Sequence, residues 1–219
     1  MTPVRGTPSW SGLVDVSIPV HPGTPEWPGD TPFSCRWTST LGGGDSVNVS
    51  CITSSPHVGT HADAPFHVDS RGVASESLDP AAFLGLALVV DISGHVGPIE
   101  RQHLPPLPLP EGRLLLRTGQ SIAGGTFPGH WPWLSLACVH ALAADGLRLV
   151  GVDAPSVDAR HSKDLATHHA IFAHGGAVLE SLDLRDVAPG PWELVAAPLR
   201  LVGLDAAPVR AYLRALPPT

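Results

Sequence analysis

The sequence lacks any apolar run approaching the roughly 20 residues that a membrane-spanning helix requires. Its N-terminus, MTPVRGTPSW, lacks the apolar core of a signal peptide. Charge is also scarce. Asp, Glu, Lys and Arg make up 15% of the 219 residues, the formal net charge is −7, and Lys and Arg form no cluster. That balance argues against nucleic acid and against anionic membranes as partners. The three cysteines, Cys35, Cys51 and Cys138, are far apart and form no C-x-x-C pair. They suit neither a disulfide framework nor a thiolate zinc site. A cytoplasmic protein with reduced thiols is the expectation. The G-x-S-x-G elbow of serine hydrolases is absent. The glycine-rich stretches 42–44 and 175–176 do not match a phosphate-binding loop.

Hydrophobic residues are plentiful. At 43% of the chain they can fill a sizeable core, so disorder is excluded. The length suits one domain, here residues 1–219. The 24 prolines and 23 glycines imply many turns. The first half reads as strands and loops, with strands expected over 13–20, 33–40, 47–55, 84–93 and 113–117. The 84–93 run, LGLALVVDIS, is expected to be buried on both faces. Residues 97–112 carry five prolines and are expected to be a loop. In the second half the expectation is a helix over 133–145 closed by Gly146 and a strand over 147–153. A helix capped by Ser162 then runs to about His174, stopped by Gly175 and Gly176. Strands are expected over 177–180, 192–197 and 199–203. The fold class is therefore α/β, a single domain with a central mixed sheet flanked by a few helices.

The 12 histidines are informative by placement. The segment SPHVGTHADAPFH puts His57, His61, Asp63 and His67 at offsets of 0, 4, 6 and 10. On an extended chain, even offsets project to one face. Gly59 between the first two histidines would leave room for a metal or substrate near the backbone. Pro65 ends strand pairing, which puts His67 on a turn beside the site. Imidazole and carboxylate ligands suit zinc or manganese, and a carboxylate can bridge two metals. A structural zinc site is the alternative, although such sites commonly use cysteine. A non-enzymatic metal-binding protein is a further one.

H-x-G-T-H-x-D-A-P-x-H, here His57 to His67, resembles the signature of the metal-dependent cyclase-like amidohydrolases. That superfamily includes bacterial kynurenine formamidase (arylformamidase) and isatin hydrolase. WPGDTPF at 27–33, VDAPSVDARHS at 152–162 followed by LATHH at 165–169, and LRLVGLDAAPVRAYLR at 199–214 are similar to segments of kynurenine formamidases. The resemblance implies the cyclase-like swivelling β/β/α fold and a site with two divalent ions, zinc or manganese. His57, His61, Asp63 and Glu180 would hold one ion. Asp63, His168 and Glu180 would hold the other, with both carboxylates bridging. His67 would be the proton donor and acceptor, and Trp27 would contact the aromatic substrate.

The implied reaction is hydrolysis of N-formyl-L-kynurenine to L-kynurenine and formate in tryptophan degradation, by a hydroxide that the dinuclear site supplies. A histidine suits the proton transfers at neutral pH. The nearest rival is hydrolysis of a cyclic amide such as isatin at the same ligands. A homodimer or larger homo-oligomer is also implied.

The residues agree locally. A helix ending at Gly175 and Gly176 places His168 and Glu180 on adjacent elements that can converge. On one straight helix their twelve-residue spacing would set them about 120° apart. His169 stays open as the ligand instead. Trp10, Trp37, Trp131, Trp133 and Trp192 read as core or interface anchors. His21, His95, His103, His130, His140, His161 and His174 read as surface or capping residues.

Overall fold

The computed structural model describes residues 12–106 and 109–216. Trp10 and the N-terminal stretch without an apolar core lie outside these residues. A nine-stranded mixed sheet organises the chain. Its middle is parallel: β5 (Leu84–Asp91), β7 (Arg113–Arg117), β9 (Leu149–Val152) and β10 (Ala177–Glu180). Antiparallel strands extend both sides. β11 (Gly190–Val195), β13 (Tyr212–Ala215) and β1 (Leu13–Asp15) follow β5 outward. β4 (His61–Asp63) and then β12 (Ala206–Pro208) follow β10. Two small ladders stand apart, β2 (Ser34–Ser39) with β3 (Val49–Thr53), and β6 (Pro98–Ile99) with β8 (Trp133–Leu134).

Strand side chains alternate between faces, and the parallel strands bury both. Leu114, Leu116, Val150, Val152 and Val178 face a core shared with Cys138, Val139 and Leu142 of α1 (Leu136–Ala144) and Ile171 of α2 (Ala166–Ala173). Leu115, Leu149 and Leu179 face a second core. That core joins Val16 and Leu213 from one side of the sheet to Ala62 from the other, so the sheet curls around it. Helices cover the first face, and the sheet's own curl covers the second.

Several boundaries differ from the sequence expectation. β1 stops at Asp15, and Ser17 makes only an isolated bridge to Leu182. β5 fully buries only Ala87 and Val89, because Leu88 and Val90 are partly covered and Leu84 lies exposed at its start. The stretch over 97–112 contains β6, because Pro98 and Ile99 pair with Trp133 and Leu134. That pairing removes Trp133 and Leu134 from the helix, and Ser135 caps α1 by accepting from the Cys138 amide. Gly146, at φ +85°, follows the helix end as expected. The apolar stretch 199–203 forms no strand. Leu199 and Val202 are solvent-exposed, and the ladder partners lie further on, in β12 and β13. Among the described residues, no helix is long and apolar enough to cross a membrane.

Candidate active site

The site lies where β10, β4 and β12 meet. His61 stands directly opposite Glu180 in the β4–β10 ladder, and Asp63 is opposite Ala206 of β12. His61 and Asp63 are two apart on one strand, so they share a face. The other two members of the motif arrive differently. His57 sits on a turn, and His67 ends a 3₁₀ turn over Pro65–His67. A continuous extended face is therefore not how the four converge. Gly59, at φ +78°, makes the intervening turn, and a Cβ there would meet Val20 Cγ2 at 2.6 Å. Its absent side chain makes room for the protein's own packing, not for a ligand. Its carbonyl oxygen accepts from His61 Nδ1 at 2.9 Å.

Two buried carboxylates are shared between two imidazoles. His61 Nε2 lies 3.4 Å from Asp63 Oδ1 and 3.6 Å from Glu180 Oε2. His168 Nε2 lies 3.0 Å from Asp63 Oδ2 and 3.3 Å from Glu180 Oε1. Each carboxylate thus turns one oxygen to each histidine. His57 joins the His61 side, with Nδ1 3.1 Å from Asp63 Oδ1. His168 is buried on α2, whereas His169 is exposed, so the helix presents His168 to the cluster.

Two acids that sequence patterning did not single out support these rings. Asp158 Oδ2 accepts from His168 Nδ1 at 2.6 Å. The same carboxylate accepts from the Thr167 and His168 amides and so caps α2. Ser162 instead closes the preceding turn by accepting from the Leu165 amide. Asp205 Oδ2 accepts from His57 Nε2 at 2.9 Å and lies 3.3 Å from His67 Nδ1. Both acids fall inside the similar segments quoted above, but neither has a spacing that marks it.

The electrostatics call for added positive charge. Burial disfavours charge on the His57 and His61 rings, yet neighbouring carboxylates outweigh it. His57 is raised to about 9, mainly by Asp205 and Asp63. His61 is raised to about 10, mainly by Asp63 and Glu180. Asp63, although buried, is held well below the usual carboxylate range by its three histidine neighbours, His61 foremost. Even so, His61 Nε2 and Asp63 Oδ1 are buried with no hydrogen-bond partner, an arrangement that folded proteins avoid. Cations between the carboxylates and the inward ring nitrogens would satisfy both atoms and replace the protons. Three imidazoles and two shared carboxylates are a donor set that fits divalent metal. His57, Asp63 and His67 are also close enough to hold a cation.

A cavity of about 510 Å³ opens over the cluster, lined among others by Trp27, His67, Phe127, Arg160 and Lys163. Trp27 packs edge-on to Phe127 at 5.6 Å and to Trp131 at 5.8 Å. The Arg160 guanidinium lies 5.0 Å from the Phe127 ring centre. Leu165 and Ser181, both lining this cavity, have left-handed backbone (φ +44° and +55°). Such strain concentrates at functional sites. The remaining histidines stay outside the site. His103 Nδ1 accepts from the Glu100 amide, and His140 and His174 bond each other at 2.9 Å. Trp131 is buried, but Trp37 is 64% exposed and so is no core anchor.

Known proteins share this chain's sequence family and fold. The Cyclase family model matches residues 14–159. A solved structure described as a potential metal-dependent hydrolase with cyclase activity is 29% identical, with a TM-score of 0.80 over 94% of this chain and 98% of that one. A predicted metal-dependent hydrolase from Bacillus stearothermophilus is also 29% identical, with a TM-score of 0.77 over 92% and 97%. Isatin hydrolase A from Ralstonia solanacearum shares the fold at 21% identity, with a TM-score of 0.73 over 92% and 90%. The chain belongs to the cyclase family and has the fold of its metal-dependent hydrolases.

Proposed function

We propose that the protein hydrolyses N-formyl-L-kynurenine to L-kynurenine and formate. The metal site of this reading is His57, His61, Asp63, His168 and Glu180. The observation that carries it is the sharing of Asp63 and Glu180 between His61 and His168 at the floor of an aromatic-walled cavity. Two divalent ions, zinc or manganese, would lower the pKa of water and stabilise charge developing on the formyl oxygen.

The chain's own residues supply the rest. Trp27 and Phe127 give the substrate's aromatic ring flat apolar walls. His67, with Nδ1 turned to Asp205, keeps Nε2 for the reacting groups. It takes a proton from the attacking water and returns it to the departing aniline nitrogen. Such transfer contributes roughly 10² to 10⁴ in rate. Arg160 and Lys163, the chain's only lysine, line the cavity without an ion-pair partner among the described residues. Glu26 and Asp30 line it too. Such a rim suits an amino-acid head group, with a carboxylate for the cations and an ammonium for the acids. Isatin, neutral and compact, has neither.

The same reading carries a cytoplasmic homodimer or larger assembly. The β2–β3 hairpin leaves Trp37 and Ile52 exposed, and a two-stranded hairpin is only marginally stable alone. Sedimentation at working concentration reports the assembly, and a monomer would count against it.

The functional test compares kcat/KM for N-formyl-L-kynurenine and isatin, in the native protein and in Lys163→Met. Preference for N-formyl-L-kynurenine is expected. Losing one charge-assisted contact should raise its KM about tenfold in the variant. Preference for isatin, or a variant with unchanged KM, contradicts this assignment.

A further inference from the structure

We infer that Asp205 is a positioning residue that decides which ring nitrogen His57 and His67 turn toward the cavity. This rests on the functional reading above for the roles of the two rings, but its geometry stands alone. One oxygen, Oδ2, lies 2.9 Å from His57 Nε2 and 3.3 Å from His67 Nδ1. The two rings lie side by side, 4.5 Å between centres. Asp205 is held in place by its own backbone, whose carbonyl accepts from the Ala64 amide at 2.9 Å, one residue beyond Asp63. The next residue, Ala206, pairs with Asp63 in the β12–β4 ladder. The carboxylate is thus fixed to the strand that carries the inner ligands.

A neutral imidazole has one N–H and one lone pair. A carboxylate accepts only from an N–H, so it selects the tautomer of any ring it contacts. At His57 both ring nitrogens face a carboxylate, Nε2 Asp205 at 2.9 Å and Nδ1 Asp63 Oδ1 at 3.1 Å. A cation held beside Asp63 would displace the Nδ1 proton, and Asp205 then keeps the hydrogen on Nε2. At His67 it holds the hydrogen on Nδ1 and leaves the Nε2 lone pair for a substrate proton. The two rings use opposite nitrogens, and one oxygen sets both. Asp158 acts likewise on His168 Nδ1, and the Gly59 carbonyl on His61 Nδ1. Of these three supporting acceptors, Asp205 alone serves two rings. It therefore links the occupancy of the metal site to the readiness of the proton carrier. Partners of this kind typically change metal affinity or activity by 10–100-fold when removed.

The test uses the zinc-loaded full chain and Asp205→Ala and Asp205→Asn. Long-range ¹H–¹⁵N correlation of the imidazole rings reads the tautomers directly, independently of any substrate. The native protein should show the hydrogen on Nε2 of His57 and on Nδ1 of His67. In Asp205→Ala, His67 should shift toward hydrogen on Nε2, zinc affinity should fall about 10–100-fold, and kcat on N-formyl-L-kynurenine should fall with little change in KM. Asp205→Asn retains an oxygen acceptor and should recover both tautomers and much of the zinc affinity. Unchanged tautomers and zinc affinity in Asp205→Ala would overturn the inference. If the native protein does not turn over N-formyl-L-kynurenine, the functional reading fails, while the tautomer and zinc measurements still decide this one.

Discussion

His61 Nε2 and Asp63 Oδ1 lie 3.4 Å apart, both buried, and neither has a hydrogen-bond partner. Leaving a buried polar group unpaired costs about 1–3 kcal/mol. Here two such atoms face each other within a ring of carboxylates and imidazoles. The arrangement is what a cation between them would resolve. Asp63→Asn keeps the shape but removes the charge and one oxygen ligand. Metal content should drop from two ions per chain to one or none, measured by elemental analysis of the purified variant. Two full ions in Asp63→Asn would contradict the bridging role.

Asp158 has two duties, as cap of α2 and as acceptor for His168 Nδ1. Asp158→Ala should therefore lower stability by about 1–2 kcal/mol through the lost cap. Separately, it should weaken metal binding about 10–100-fold through the freed ring. Thermal unfolding of the metal-free protein reads the stability loss, to which the lost His168 contact adds, and zinc titration at a temperature well below unfolding reads the second effect. A variant with lowered stability but native zinc affinity would reduce Asp158 to a cap.

Gly72 touches the turn that carries His67. A Cβ at Gly72 would lie 2.5 Å from the Pro65 carbonyl carbon and 2.7 Å from the Phe66 nitrogen. Both are backbone atoms, so the Pro65–His67 turn must move. Gly72→Ala should lower kcat by tenfold or more, since small misplacements of a catalytic group are costly, while the two-ion content stays near native. Steady-state kinetics with metal analysis checks this. Native kcat would show that the turn tolerates displacement.

The motif His57–His67 was legible in the sequence because ligand-type residues were concentrated there, and the structure does gather all four. Its geometry was not legible as a single extended face. The β4 strand is only three residues long, and turns on either side deliver the outer histidines. His168 and Glu180 could be placed on α2 and β10 because Gly175 and Gly176 mark the break between them. Asp158 and Asp205 were hidden among 20 acidic residues, since a supporting carboxylate has meaning only once its partner ring is located in space. Stretch 199–203 misled because an apolar run looks the same whether a neighbouring strand covers it or solvent does.

The central proposal is that the protein hydrolyses N-formyl-L-kynurenine with metal held by this histidine and carboxylate cluster. The most direct measurement is turnover of that compound by purified protein, before chelation, after chelation and after adding back zinc or manganese. The account predicts hydrolysis that chelation abolishes and metal restores, and that Asp63→Asn does not regain with added metal. Hydrolysis that persists in fully stripped protein, or none in a protein carrying two ions per chain, would contradict it.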